Sequence, residues 1–118
     1  MNNKMLNSGD KTMRSVSGIK EPKQEQIRLF LKGAVYCWCK NNPDKWFSLR
    51  DLMGGENFYW EENPLFALWE KHKHKGEKEA VKSAGIDAGW LLKKVIIDDC
   101  RTFESRIEAR TRQYLWVP

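Results

Sequence analysis

The chain has 118 residues, of which 41% are hydrophobic and 31% charged, and its formal net charge is +5. That is one domain's length with enough apolar side chain for a core, and no apolar run approaches the roughly 18 residues that a membrane span requires. Residues 1–20 are basic but lack the apolar stretch of a secretory signal. The three cysteines are an odd number, which suits buried thiols in a reducing compartment better than a disulfide framework, so the expected location is the cytoplasm.

Residues 1–21 are rich in Asn, Ser, Gly and Lys without periodicity, and are expected to be a flexible tail ahead of a single domain over 22–118. Pro22 suits the first turn of a helix. From 23 to 40 the apolar residues Ile27, Phe30, Leu31, Ala34, Val35 and Trp38 recur at i, i+3/i+4 and i+7, the pattern of a helix with one buried face. Asn41-Asn42-Pro43-Asp44 ends it. Trp46-Phe47-Ser48 reads as a short strand, with Ser48 capping a short helix near 48–53 that Gly54-Gly55 stops. Phe58, Tyr59 and Trp60 fall in a loop, and Asn63-Pro64 opens a helix over 64–75 that Gly76 closes.

Residues 77–84 form a further short helix, which Gly85 breaks. Asp87 then caps a helix over 87–98 that carries Ala88, Leu91, Leu92, Val95 and Ile96 on one face. Asp98 and Asp99 oppose the negative end of the helix dipole and mark its end. The period then changes to alternation, which predicts strands at 101–107 and 113–117 joined by a polar loop at 108–112. The expected class is α+β, mainly helical, ending in a hairpin.

Two short helices, a Gly-containing turn and a terminal hairpin follow the order of a winged helix-turn-helix. The segment Ala80-Val81-Lys82-Ser83-Ala84-Gly85-Ile86-Asp87-Ala88-Gly89-Trp90-Leu91 resembles the helix-turn-helix of tetracycline-repressor-like regulators, with Ala84, Gly85, Ile86 and Asp87 at the turn and cap. The chain departs from those regulators in following the motif with a hairpin in place of a large helical ligand domain. It looks more like the winged-helix superfamily at large. The resemblance implies double-stranded DNA as the partner, contacted by the second helix and the wing. The role implied is that of a small transcriptional regulator or a mobile-element accessory protein.

The residues expected to meet DNA are Asp87, Trp90, Lys93 and Lys94 on the outward stripe of the second helix, with Arg106, Arg110 and Arg112 around the hairpin tip. The charge distribution agrees in part. Residues 26–50 carry five cations against Asp44, and 100–118 carry four arginines against Glu104 and Glu108. Residues 51–75 are net acidic, and Asp87, Glu104 and Glu108 would repel phosphates.

Other chemistries have less support. Cys37, Cys39, His72 and His74 are ligand types for zinc, but residues at i and i+2 of a helix point about 200° apart and cannot chelate one ion, so no metal is expected. There is no phosphate-binding glycine loop, metalloprotease pattern or nucleophile elbow. No enzyme activity and no cofactor are therefore expected. The rival reading is a winged-helix module that binds protein without DNA. Six tryptophans are many for this length, and Trp60, Phe66 and Trp69 could form a homodimer or partner surface.

Overall fold

A computed structural model describes residues 4–5 and 13–118. In chain order the elements are β1 (Lys4–Met5), α1 (Glu21–Asn41), α2 (Leu49–Leu52), α3 (Phe66–His72), α4 (Glu77–Asp98), β2 (Thr102–Glu108) and β3 (Thr111–Val117). The class is α+β and mainly helical, with an antiparallel hairpin at the C-terminal end. Among the described residues no helix is long and apolar enough to cross a membrane.

Pro22 lies in the first turn of α1, and Ile27, Leu31, Val35 and Cys39, four residues apart, line its buried face. Each buried aliphatic side chain of this kind contributes about 1.5–3 kcal/mol relative to exposure. The expected α1 face included Phe30, which instead stays 37% exposed. Ser48 and Asp51 form a reciprocal capping box at the start of α2, and Gly54 takes a left-handed φ of 100° just beyond its end. The predicted strand at Trp46-Phe47-Ser48 reduces to a single bridge from Phe47 to Tyr114 of β3. The third helix starts at Phe66, two residues later than the Asn63-Pro64 signal suggests. There Asn63 Oδ1 accepts from the Leu65 N–H and organises a turn before the helix.

The largest correction concerns α4. Residues 77–98 form one uninterrupted helix, so the expected break at Gly85 and the cap at Asp87 are not present, and the segment 80–91 contains no turn. A glycine inside a helix costs about 1 kcal/mol relative to alanine. That is small beside the burial of Ala80, Ala84, Ala88, Leu91, Leu92, Val95 and Ile96 along one face. Asp87 Oδ2 accepts from Lys71 Nζ and from His72 Nε2, both at 2.8 Å, and so ties mid-α4 to α3. A carboxylate can only accept, so His72 presents its protonated Nε2 here. α3 passes into α4 through a 3₁₀ turn at Lys73–Lys75 and Gly76, which takes a φ of 90°.

The hairpin is also tighter than its sequence suggests. β2 and β3 pair from Thr102↔Val117 to Glu108↔Thr111, leaving only Ala109 and Arg110 in the turn. Both have positive φ, 49° and 66°. The strands extend into the polar stretch because β pairing satisfies its backbone groups. β1 adds to the other edge of β2 through Lys4↔Ser105 and Met5↔Glu104. Within residues 13–20, Val16 is buried in the core and Gln24 Nε2 donates to the Val16 and Ile19 carbonyls, while most of the other residues are exposed. The remainder of the expected tail before Met13, β1 aside, lies outside the described residues.

Behind the sheet, Arg101 locks the end of α4. Its Nε and one terminal nitrogen donate to the two Asp99 carboxylate oxygens at 3.0 and 2.9 Å, and its guanidinium lies 5.5–5.9 Å from the Tyr36, Phe103 and Trp116 ring centres. The Asp99 side chain is 5% exposed. The hydrogen bonds from Arg101 outweigh burial and hold its carboxyl below the ordinary carboxylate range. A lowered folded-state pKa means stability that is present above the unfolded value, about 3.9, and lost as pH falls through the folded one. Asp99→Asn is therefore expected to cost about 2 kcal/mol at neutral pH. In urea titrations the gap between the two proteins should shrink as pH falls below the ordinary carboxylate range; a pH-independent gap would contradict this origin.

Candidate nucleic-acid interface

Once α4 is continuous, Lys82, Gly85, Ile86, Gly89 and Lys93 fall at helical spacing on one face. That face forms the floor of a cleft of about 510 Å³. Its walls come from Leu49 and Arg50 of α2 and from Arg110, Thr111, Arg112 and Tyr114 at the hairpin. Five cations line it, Arg50, Lys82, Lys93, Arg110 and Arg112, with no carboxylate among the described lining residues. A Cβ added to Gly85 or Gly89 would meet nothing within 4 Å, so the helix backbone lies open to close approach at the centre of the cleft. Ile86, 51% exposed, is the apolar side chain between them.

Each expected contact residue has a definite place. The structure brings Trp90, Lys93, Arg110 and Arg112 together around this cleft and leaves Asp87, Lys94 and Arg106 outside it. Lys93 was expected to point outward but is only 3% exposed, with its ammonium 5.5 Å from the Trp90 ring centre. The Arg14 guanidinium covers the same ring at 5.3 Å, which makes Trp90 a platform for cations. Arg112 sits within β3, half-buried, and donates to Ser105 Oγ at 3.5 Å. Arg110 is exposed in the turn itself.

Lys94 is exposed, pairs with Asp98 at 3.3 Å, and borders a different depression beside Arg14, Glu21 and Gln24. Arg106 donates to Gln113 Oε1 at 2.7 Å and stacks over Trp46 at 4.1 Å. Asp87 is committed to Lys71 and His72, so its negative charge does not face the cleft. Burial holds the Tyr114 phenol well above its ordinary range, against a smaller opposing effect of Arg112. Tyr114 is thus a neutral hydroxyl at any working pH.

The sequence reading missed Arg50, Lys82, Gly85 and Gly89 as a set. The signal was the 82/85/86/89/93 spacing, which is hidden when the helix is split at Gly85. The expected partner aromatics are largely engaged: Phe66 stacks on Trp69 at 5.5 Å and 11°, and Phe58 meets Trp60 edge-on at 5.0 Å. Trp60 and Trp69 also pack against the core. Cys37 is exposed and Cys39 buried on α1, and no three His, Cys, Asp or Glu among the described residues are placed to hold a metal ion.

No family model, curated protein or solved structure matches this chain.

Proposed function

We propose that the protein binds duplex DNA as a winged helix, with α4 entering the major groove and the β2–β3 hairpin lying along the sugar-phosphate backbone. The observation that carries this reading is the cleft between α4 and the hairpin, lined by five cations and no described carboxylate. Phosphate neutralisation supplies most non-specific DNA affinity, and a helix face floored by glycine lets a backbone approach closely. The order of elements supports the same reading. Phe47 bridges the outer edge of β3, so the sheet runs Phe47, β3, β2, β1, with α3 and α4 joined by a short turn before the hairpin. A small transcriptional regulator or a mobile-element accessory protein is the role such a module fits.

The turn itself supports a binding role for Arg110. Two-residue hairpin turns with positive φ at both positions favour Asn-Gly, because a side chain there costs about 1–2 kcal/mol per residue. This chain has Ala109-Arg110 in that conformation. Replacing the pair by Asn-Gly is expected to raise stability by about 1–2 kcal/mol in urea titrations. The same variant should lose duplex affinity several-fold in anisotropy measurements at every sequence tested. Lys94→Ala, outside the cleft, should leave affinity unchanged. A turn variant that binds duplex as well as the wild type, or equal losses from both variants, would contradict the assignment.

A further inference from the structure

A second groove, sharing no lining residue with the basic cleft, runs between α1 and residues 52–63 and encloses about 440 Å³. We propose that it docks a cationic amphipathic peptide segment of a partner protein. Its floor is apolar: Phe30, 37% exposed, Met53, and Tyr59, 56% exposed. At Gly33 an added Cβ would meet nothing within 4 Å, so the floor reaches the α1 backbone. Its lip carries Glu61 and Glu62, and no Lys or Arg is among the described lining residues.

Charge complementarity selects the occupant. On a chain of net charge +5, a cationic peptide is repelled by most of the surface and attracted to this apolar, acidic strip. Nucleic acid is repelled from the same strip. The lip is held in place before binding. Tyr59 Oη donates to Glu62 Oε2 at 3.0 Å, and the Asn63 side-chain amide donates to the Tyr59 and Trp60 carbonyls at 3.1 Å, which reduces the ordering cost of docking. The mode that fits is a helix laid into a groove by side chains at i, i+3/i+4 and i+7, with its basic face along the acidic lip.

The test uses the full chain and a fluorescent synthetic helix of about 18 residues with one Leu/Phe stripe and lysines elsewhere. Saturable micromolar binding is expected. Both Gly33→Trp, which fills the floor, and Glu61→Lys with Glu62→Lys, which reverses the lip, should weaken it at least tenfold. Thermal melts check that the variants fold; the lip residues are exposed, so the second variant serves even if the Gly33→Trp substitution perturbs α1. Duplex affinity of the Gly33→Trp protein should be unchanged, which separates this groove from the cleft. Equal binding of a peptide with glutamates in place of lysines would overturn the proposal, as would full binding by both variants. A concentration-dependent dimer that Gly33→Trp abolishes would also overturn it, assigning the groove to a second copy of the chain.

Discussion

Phe47→Ala is expected to destabilise the protein by about 3–5 kcal/mol, a large part of a typical domain's total of about 5–15 kcal/mol. Phe47 is fully buried and sits where the helical layer meets the sheet. Its ring lies edge-on to Phe103 at 6.4 Å and tilted against Tyr114 at 6.0 Å and Trp38 at 5.9 Å. Truncation loses both the transfer energy of the ring and its contacts, and leaves a cavity that α1 and the hairpin cannot both close. Its backbone exchanges hydrogen bonds with Tyr114 at 2.9 and 2.8 Å, so the same residue seats β3 against the segment that leads into α2. The urea midpoint should fall with little change in slope. A loss below about 1 kcal/mol would mean that the sheet does not depend on this junction for its seat.

The largest functional effect is expected from Gly85→Glu combined with Gly89→Glu. Both positions are open at Cβ, and both lie inside a continuous helix. Glutamate is a better helix former than glycine by roughly 0.5 kcal/mol per site, so the variant should melt no lower than the wild type. It nevertheless places two carboxylates among Arg50, Lys82, Lys93, Arg110 and Arg112. Cancelling two of these charges and crowding the floor should lower duplex affinity about 100-fold at low salt. The matched Gly85→Ala, Gly89→Ala protein separates the two causes, since it adds bulk without charge. An unchanged affinity in the glutamate variant, with the fold intact, would move the DNA surface away from α4.

Much of the fold is legible in the sequence because periodicity reports which faces are buried. Ile27, Leu31 and Val35 announce α1, and the alternation after Cys100 announces the hairpin. The Ser48 cap and the Gly54 and Gly76 stops are equally readable, since each rests on local backbone chemistry. The reading fails at Gly85 because a local breaker was weighed without its tertiary context. The buried alanine and leucine face of α4 and the tie from Asp87 to α3 outweigh one glycine. That single error also scattered the site. It assigned Asp87 to a cap, and it hid the shared face of Lys82, Gly85, Gly89 and Lys93. Arg110 and Arg112 were found because a hairpin tip is defined by its flanking strands. Arg50 could not be, since the α2–hairpin approach is set by the Phe47 bridge and not by any local pattern.

The cleft is proposed to neutralise DNA phosphates. Titrating salt against the affinity of the wild-type protein for a random duplex tests it most directly. Three to four contacts, from Arg50, Lys82, Arg110 and Arg112, predict a slope of log affinity against log salt of about −2.7 to −3.6. The slope should become shallower by about one for each cation removed among Arg50, Lys82 and Arg110. Absence of duplex affinity at low salt, where electrostatic attraction is strongest, would contradict the account. So would a slope indifferent to those substitutions.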